Sequence, residues 1–443
     1  MMRITRSAVM AMFAMMAAHS AFAQDASRLG KDLTEWGAER AGNKDGSIPA
    51  YDGGLSKPPS SYKQGSGIYV DPFASEKPLY TVTASNMAQY ADKLAEGQKA
   101  LLKKYPDYRL DVYPTHRTAA YPKYWLDASI KNAGTSKLTN GGVGIEGAKV
   151  GLPFPIPKTG HEVMWNHLLA YQFPVTDHRS KAFYVDQAGR ATLTGTADWH
   201  IEGRYSDPEN KDDPFYLRML CQLKAPGTLA GQNLIVMDSF QNGRTGYQYI
   251  PSQRRAKLAP ELSYDTPHPA SAGSSTFDDG FVFAGPLDRF SFKLVGKKEM
   301  LLPYNTYKLQ LEPELSKAGT AKFLNPDLVR WELHRVWVVE AELLPGKRHI
   351  YQKRTFYWDE DGFAAGMSDQ YDGAGKLFRH SYSLPMQLYD VPGMFAQPYN
   401  EYDFSSNVYV FTFLMLNSPI KTDGRKLGPS SWTAAALEGR GVR

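Results

Sequence analysis

The sequence predicts a mainly β fold of the α+β class, with one large, curved antiparallel sheet that curls around a few helices. Three observations lead to this prediction. The 443 residues include 27 tyrosines and 21 phenylalanines, and aromatic side chains favour strands. From about residue 180 onward, apolar and polar residues alternate with the period of two that is typical of a strand. Short turns rich in Asp, Asn and Gly separate these segments, so consecutive strands should pair as an antiparallel meander.

The first 23 residues have the pattern of a secretory signal peptide. Arg3 and Arg6 precede an apolar run over residues 8–18, and Ala21-Phe22-Ala23 forms a cleavage site of small residues. The run is shorter than a membrane-spanning helix needs. We therefore expect cleavage after Ala23 and a mature protein in the periplasm, with an uncleaved N-terminal anchor as the alternative.

The cysteine content and the charge restrict the class of protein further. Cys221 is the only cysteine, so an intramolecular disulfide and a lipid-attachment cysteine after the cleavage site are both excluded. Loss of Arg3 and Arg6 lowers the net charge from +5 to +3, which argues against a nucleic-acid partner.

The mature chain begins with a loop-rich lead-in over residues 24–80, and a single large β-rich domain is expected over residues 81–443. A first helix is predicted from the cap residues Ser85 and Asn86 to Pro106, because its apolar residues recur at helical spacing. A second, short helix is predicted from Thr159 to about Leu169, because Thr159 and Glu162 form a capping box.

The strands of the predicted sheet follow these helices. A hairpin is expected over residues 181–195 with its turn at Gly189, and an Asn-Gly turn at Asn242-Gly243 joins the next two strands. The other predicted strands are 233–240, 244–260, 331–343 and two hairpins within 349–384 that turn at 359–362 and 372–375.

Three motifs resemble metal sites and do not meet the requirements of one. His161 and Glu162 begin a zinc-like pattern, but the next histidine is His167, six residues on, so the two rings point in different directions on a helix. Residues 43–47 and 359–362 resemble fragments of calcium loops without the full set of oxygen ligands. We interpret both fragments as turns and expect neither a metal nor a cofactor.

Four aromatic residues on predicted strands have the parity to face one side of the sheet. If the sheet curls without closing, that side can surround a cavity for a hydrophobic ligand. Its candidate lining residues are Trp331, Trp337, Phe356 and Trp358. The alternative is an ordinary packed core, which would use the same side chains.

Two pairs of adjacent charged residues have alternative interpretations. Arg254 and Arg255 are candidate contacts for an acidic headgroup or a partner, or they are simply solvated residues at a sheet edge. Asp278 and Asp279 could share acid-base chemistry, but neighbouring residues on a strand point to opposite faces. We therefore predict no catalytic residue.

Distinctive stretches run along the mature chain, among them "LTEWGAERAGNKDGSIPAYDGG" at residues 33–54, "DVYPTHRTAAYP", "GLPFPIPKTGHEVMWNH" and "DRFSFKLVGKKEMLLPYN". In this order they resemble the domain-of-unknown-function 1329 family of exported proteobacterial proteins, from about Leu33 to Leu416. The resemblance implies a fold related to the periplasmic lipoprotein-sorting carriers, a half-open barrel wrapped over helices with an apolar cavity.

The resemblance also implies a role. It suggests a periplasmic binding or transfer protein for a lipid or another hydrophobic ligand, accessory to an inner-membrane exporter of the resistance-nodulation-division (RND) type and an outer-membrane component. No catalytic residue is carried over, and the expected protein is not an enzyme. Two alternatives stay open: an enzyme that acts on a hydrophobic substrate, with His161, His167, Asp278 and Asp279 as first candidates, and a structural envelope protein.

Overall fold

The computed structural model describes residues 26–210, 213–241 and 243–441. The predicted signal peptide and Asn242 of the predicted Asn-Gly turn lie outside these ranges. The prediction of a mainly β fold is confirmed, because the described residues form twenty strands and few helices. The strands are β1 Tyr80–Val82, β2 Leu110–Val112, β3 Lys137–Thr139, β4 Gly144–Glu146, β5 Thr176–Val185, β6 Ala191–Glu202, β7 Phe215–Ala225, β8 Asn233–Ser239, β9 Gly243–Ile250, β10 Arg255–Leu258, β11 Phe290–Pro303, β12 Trp331–Leu343, β13 Lys353–Asp359, β14 Gly366–Tyr371, β15 Leu377–Ser383, β16 Met386–Leu388, β17 Gly393–Phe395, β18 Tyr399–Asp403, β19 Val408–Leu414 and β20 Ile420–Lys421.

The helices are short, and none in the described part of the chain has the length and apolar character needed to cross a membrane. The α-helices are α1 Glu96–Lys104, α2 Lys123–Thr135, α3 Gly160–Leu168, α4 Tyr307–Leu311, α5 Leu315–Ala318 and α6 Ala434–Gly441. Single 3-10 segments are Met87–Lys93, Asn140–Gly142, Pro251–Gln253, Pro269–Ser271, Phe277–Val282, Pro326–Leu328 and Pro429–Trp432.

One sheet contains sixteen of these strands and curls strongly. Its order is β1-β2-β12-β13-β14-β15-β18-β19-β5-β6-β7-β8-β9-β10, with β11 beside β12 and β20 beside β5. All pairs are antiparallel except β2 and β12, which meet at a single residue pair. Strands β6 and β7 contribute to the same hydrophobic cluster as β11 to β13, although they are far apart in this order. The sheet therefore curls, and this cluster fills its concave side.

Two further clusters cover the convex side. The larger joins α1 and residues 307–329 to the outer faces of β12 to β15, β18 and β19. The smaller joins α6 to β7, β8 and β9. Because the sheet is covered on both faces, its strands carry apolar residues on both faces as well.

The helix predicted before Pro106 is divided into two parts. Residues Met87–Lys93 form a 3-10 segment with no buried side chain, Leu94 and Ala95 are extended, and α1 follows. The interruption has a local cause, because the buried carboxylate of Asp369 accepts hydrogen bonds from the amides of Glu96 and Gly97. A carboxylate at this position starts a new helix N-terminus, where an anion is favourable.

The strand predicted over residues 244–260 is instead two strands, β9 and β10, with the 3-10 segment Pro251–Gln253 between them. Three other local predictions are confirmed. Thr159 Oγ1 accepts a hydrogen bond from Glu162 N, and Glu162 Oε2 accepts one from Thr159 N, which is the expected capping box at the start of α3. β5 and β6 form the hairpin that turns at Gly189. β13, β14 and β15 form the two consecutive hairpins.

Candidate functional site

An apolar pocket lies on the concave side of the sheet, between β5 to β8 and a segment of residues 277–284, which we call the cap segment. Its walls are mostly aromatic and aliphatic, with the polar groups of Gln172, Thr176, Asp238 and Gln397 between them. The principal apolar lining residues are Tyr171, Phe173, Ile201, Tyr216, Leu217, Met219, Phe281, Phe283, Met394 and Phe395. Its volume is about 60 Å³, whereas pockets that bury a small-molecule ligand have volumes of roughly 300–1,000 Å³. The pocket is therefore too small for such a ligand in this conformation.

The backbone of the cap segment is strained. Gly280 leaves the 3-10 conformation, and Phe281 and Val282 have φ values of 53° and 73°. A left-handed conformation is unfavourable for a non-glycine residue and is a genuine outlier for a β-branched one such as Val282. Strain of this kind persists only where surrounding contacts impose it, and it is concentrated at ligand clamps and switch regions. Here it directs the rings of Phe281 and Phe283 into the pocket.

Buried ion pairs hold the cap segment on the sheet. The Arg354 guanidinium donates to Asp278 at 3.2 Å and to Asp279 at 2.8 Å. His349 Nε2 lies 2.9 Å from Asp278, and the Tyr351 hydroxyl donates to Asp279 at 2.7 Å. Burial raises the pKa of Asp278, but the Arg354 and His349 charges outweigh it and hold that pKa well below its usual range.

This arrangement corrects the prediction for Asp278 and Asp279. They lie in a 3-10 segment and not on a strand, so their side chains do not point to opposite faces, and both reach Arg354. Because their oxygens are engaged in these pairs, their role in this structure is to anchor the cap segment.

Two of the four predicted lining residues form the wall behind the pocket. Phe356 and Trp358 are fully buried, and their rings are stacked 5.7 Å apart. Trp358 also stacks on His167, a pocket residue, at 3.6 Å. Phe356 packs against Phe283 of the cap segment at 5.4 Å.

The other two lie elsewhere. Trp337 is partly buried, and the Lys297 ammonium lies 4.6 Å from the centre of its ring. Trp331 belongs to the convex cluster and packs against Tyr382. Strict alternation predicts that odd-numbered and even-numbered residues of β12 face opposite sides of the sheet. This alternation is not kept along the whole strand, because Leu333 and Val336 both lie in the convex cluster. Ligand contact by any of the four stays a prediction.

The loss of stability on alanine substitution should distinguish Trp358, a buried residue behind the pocket, from Trp337, a partly solvated residue at the periphery. We expect Trp358→Ala to lower the free energy of unfolding by about 3–5 kcal/mol, since it leaves a large cavity in a fully buried site. Trp337→Ala should lower it by no more than about 1.5 kcal/mol, because its ring is partly solvated. Urea unfolding followed by far-UV circular dichroism measures both. Equal losses would contradict the assignment of Trp337 to the periphery.

The candidate headgroup or partner contacts lie on an edge. Arg254 is exposed, with φ of 48°, in the turn before β10, and Arg255 is exposed on β10, the last strand in the sheet order. Among the described residues, neither side chain forms an ion pair, which agrees with a solvated edge. A headgroup or partner contact at these arginines stays a prediction.

The two histidines of α3 do not form a metal site with each other. His161 packs its ring against Phe292, whereas both ring nitrogens of His167 face backbone carbonyls, those of Phe363 at 2.9 Å and Phe283 at 2.8 Å. Burial lowers the pKa of His167 to about 4, although the two carbonyls raise it. His167 thus links the end of α3 to the cap segment.

A second buried group of polar residues lies around the loop at residues 359–362. His334, Asp359 and Asp361 are near enough to one another to hold one metal ion. However, the Arg117 guanidinium already occupies both oxygens of Asp361 at 2.7 Å. His334 lies between the carboxylates of Glu332 and Asp359, at 3.2 and 3.5 Å. A protonated imidazole therefore supplies the positive charge that an ion would bring.

The pH dependence of the free energy of unfolding should reveal whether the imidazole of His334 is protonated. Burial lowers the pKa of His334, but hydrogen bonds to Asp359 and Glu332 outweigh it and raise that pKa to about 9. A histidine whose pKa is higher in the folded state stabilises fully below pH 6.5 and loses this contribution as the pH rises through 9. We expect a difference on the order of 3 kcal/mol between wild type and His334→Gln at pH 6 that narrows above pH 9. Urea titrations from pH 6 to 9.5 measure it, and a constant difference would contradict this protonation.

The sequence stretch at residues 33–54 covers this polar group. Glu39 pairs with Lys297 at 3.1 Å, the carbonyl of Ala41 accepts from Arg335 at 3.0 Å, and those of Arg40 and Pro49 accept from Arg117 at 3.5 Å. Glu39 and three backbone carbonyls of this stretch are therefore partners of charged side chains in the domain.

Sequence reasoning missed the cap segment and the residues that line the pocket around it. The segment "TFDDGFVF" does contain a usable signal, since Gly280 stands between two phenylalanines and follows paired acids. Phe395 and Gln397 gave no such signal, because they reach the pocket only through long-range folding.

The sequence is similar to a protein family of unknown function and to an uncharacterized bacterial protein. Residues 81–438 match the model of a family described as "Protein of unknown function (DUF1329)". The uncharacterized protein PA3922 of Pseudomonas aeruginosa is 40% identical over 432 residues, which are 95% of this chain and 94% of that protein.

Two solved structures are similar to the fold. A putative outer membrane lipoprotein-sorting protein domain from Vibrio parahaemolyticus has a TM-score of 0.44 and 11% identity, covering 62% of this chain and 97% of that chain. A DUF1329 family protein from Desulfovibrio piger has a TM-score of 0.40 and 11% identity, covering 60% of this chain and 92% of that chain.

Proposed function

The chain belongs to the DUF1329 family, and from this premise we propose that it is a periplasmic protein that binds a lipid or another hydrophobic molecule and transfers it to a partner. The observation that carries the proposal is the aromatic pocket on the concave side of the sheet, beneath a strained cap segment. Burial of an apolar ligand there would contribute about 25 cal/mol for each Å² removed from water.

Binding requires the cap segment to move, because about 60 Å³ is too small for such a ligand. A second cavity of about 210 Å³ lies beside the pocket, and Leu168, Tyr216 and Asp238 line both. Displacement of the cap segment together with the Tyr216 ring would join the two. Loops that open and close in this way control the entry and release of ligands.

Transfer needs a receiving partner. The proposed partner is an RND-type exporter of the inner membrane, in line with the family resemblance, with an outer-membrane component beyond it. Arg254 and Arg255 are the proposed contacts, because they are exposed and without ion pairs among the described residues at a sheet edge. Arg254→Glu with Arg255→Glu should then slow transfer to membranes that contain the exporter and leave ligand binding unchanged.

The proposal is tested by native mass spectrometry of the mature protein purified from its own periplasm, with organic extraction of bound molecules. A stoichiometric hydrophobic molecule supports it. Ala364→Phe, which fills the pocket, should remove that molecule, whereas Ala188→Phe in the exposed β5–β6 turn should retain it.

An empty protein that also fails to bind the fluorescent probe N-phenyl-1-naphthylamine would contradict the proposal. An enzyme that acts on a hydrophobic substrate and a structural envelope protein would then be the alternatives to test.

A further inference from the structure

A row of polar side chains crosses the concave face of the sheet beneath the cap segment. The strand register places Ser368 opposite Ser381 and Ser381 opposite Glu401, on β14, β15 and β18. Gln370 lies two residues from Ser368 on the same face and donates to Ser381 Oγ at 3.0 Å. All four side chains are buried. We call Ser368, Gln370, Ser381 and Glu401 the polar row.

Several atoms in and beside the polar row have no hydrogen-bond partner among the described residues. They are both carboxyl oxygens of Glu401, Oε1 of Gln370, Oγ of Ser368 and Nε of Arg354. The nearest cation to Glu401 is Arg379, whose Nη1 lies 3.8 Å from Oε1, beyond hydrogen-bond distance. A buried polar atom without a partner costs about 1–3 kcal/mol, and folded proteins keep few of them. Several together in one place indicate that something else satisfies them.

The polar row is a neighbour of the apolar pocket. Phe281, which lines the pocket, packs against Phe413 at 5.1 Å and against Tyr399 at 6.5 Å. Tyr399 precedes Glu401 by two residues on β18 and therefore points to the same side of the sheet. The strained cap residue Phe281 thus lines the apolar pocket and also contacts a residue that neighbours the polar row.

We propose that the polar row is the subsite for the head of the same hydrophobic ligand, and that this head carries hydrogen-bond donors, either a hydroxyl or an ammonium group. The inference rests on the proposed function and names the chemistry of its ligand. The apolar part lies in the pocket, and the head donates to the carboxyl of Glu401 and the amide oxygen of Gln370.

The polar and charged groups around the polar row favour a ligand head that donates hydrogen bonds over an anionic head. Asp279 and Asp403 lie on the same network of residues as Glu401, and their charges are engaged by Arg354 and Arg379. Of these unpartnered atoms, three are acceptor oxygens of Glu401 and Gln370, Arg354 Nε is a donor, and the Ser368 hydroxyl can act as either. A phosphate head brings mainly acceptor oxygens, so it would leave these acceptors without donors.

The protonation of Glu401 is compatible with either donor. Burial and the negative charge of Asp279 raise the pKa of Glu401 well above its usual value. In its protonated form this carboxyl can both donate to and accept from a hydroxyl. A bound ammonium group would instead pair with the carboxylate of Glu401 after that carboxyl has lost its proton.

The experiment compares ligands with one tail and three heads. The mature wild-type protein is loaded with N-phenyl-1-naphthylamine, which is displaced by 1-dodecanol, dodecylamine or dodecyl phosphate. We expect dodecanol or dodecylamine to bind at least ten-fold more tightly than dodecyl phosphate, and the better of the two identifies the head. Glu401→Leu should remove this preference and leave the affinity for the apolar probe unchanged.

Two variants keep the outcome interpretable. Glu401→Gln retains a neutral acceptor, so it should keep dodecanol binding and lose dodecylamine binding. Glu314→Leu, on the exposed surface, should change neither. Matching near-UV circular dichroism of each variant and the wild type shows that the fold is retained.

Failure of this inference is distinguishable from failure of the proposed function. If wild type binds the probe but shows no preference among the heads, or if Glu401→Leu keeps the wild-type preference, the polar row holds only internal water and the inference is overturned. If wild type does not bind the probe, the proposed function itself is overturned.

Discussion

Arg354→Met should lower the free energy of unfolding by about 3–5 kcal/mol, the loss expected when one partner of a buried ion pair is removed. Arg354 is fully buried and donates to both Asp278 and Asp279. Methionine has a similar length and fills the space, but it leaves two carboxylates on the cap segment without their common cation. The destabilisation therefore comes from buried charge and not from a cavity.

Urea unfolding at pH 7.5 measures this loss, and an exposed pair gives the matched control. Arg179 also donates two hydrogen bonds to carboxylate oxygens, both to Asp198 at 2.6 and 2.9 Å, but its side chain is 54% exposed. Arg179→Met should change stability by no more than about 1 kcal/mol. If the two variants lose the same free energy, burial does not determine the strength of the Arg354 pairs.

Arg354→Met has a second expected consequence for the cap segment. The ion pairs anchor the cap segment just before its strained residues Phe281 and Val282. When they are lost, the segment should detach before the rest of the domain unfolds. Hydrogen exchange of residues 277–284 should then accelerate in Arg354→Met at urea concentrations where far-UV circular dichroism is unchanged.

Local pattern was sufficient to predict much of the sheet. The hairpins at residues 176–202 and 353–383 are encoded by period-two alternation and by turns that need glycine or aspartate, and α3 is encoded by the capping box of Thr159 and Glu162. These signals depend on residues a few positions apart, which a sequence displays directly.

Elements that depend on long-range contacts were not predictable. The interruption before α1 depends on Asp369, which is more than 270 residues away. The assignment of Trp331 to the pocket assumed one concave face along all of β12, whereas the strand changes the side to which its alternate residues contribute. In both cases the tertiary environment overrides a correct local pattern.

The candidate site was recognised only in part, for a related reason. The sequence draws attention to Asp278 and Asp279 as a pair, but a strand and a 3-10 segment place such a pair differently, and nothing local distinguishes the two. The partners that give the pair its role, Arg354 and His349, belong to another part of the chain. The tryptophans were conspicuous by composition, whereas the cap phenylalanines act through an unusual backbone.

The distinctive stretch at residues 33–54 has a physical explanation in the structure. Trp36 is buried and packs edge-to-face on Tyr51 and Tyr121 at 5.4 and 5.2 Å. At Gly37 the backbone passes so near Pro155 that a side chain has no room. Glu39 of the same stretch pairs with Lys297, and the carbonyl of Ala41 accepts a hydrogen bond from Arg335. We therefore propose that the described part of the lead-in, residues 26–80, folds as an integral layer of the large domain.

Gly37→Ala should test this integral role with a large effect, on the order of 4 kcal/mol, as expected for strain at a special backbone position. Gly37 has φ of 91°, and a Cβ atom there would lie 1.7 Å from the carbonyl oxygen of Pro155. Gly46 is the matched control, because it has φ of 77° and open space around a Cβ. Both substitutions share the left-handed backbone penalty of about 1–2 kcal/mol. Only Gly37→Ala must also move the backbone.

The readout is urea unfolding together with limited trypsin digestion. If the lead-in is an integral layer, Gly37→Ala displaces Trp36, and trypsin cuts at Arg40 and Lys44 under conditions that leave wild type and Gly46→Ala intact. If it is a peripheral strap, Gly37→Ala should expose the same sites with no more loss of stability than Gly46→Ala. The stability difference between the two alanine variants therefore decides whether residues 33–54 are part of the folded core, because the penalty they share cancels in the comparison.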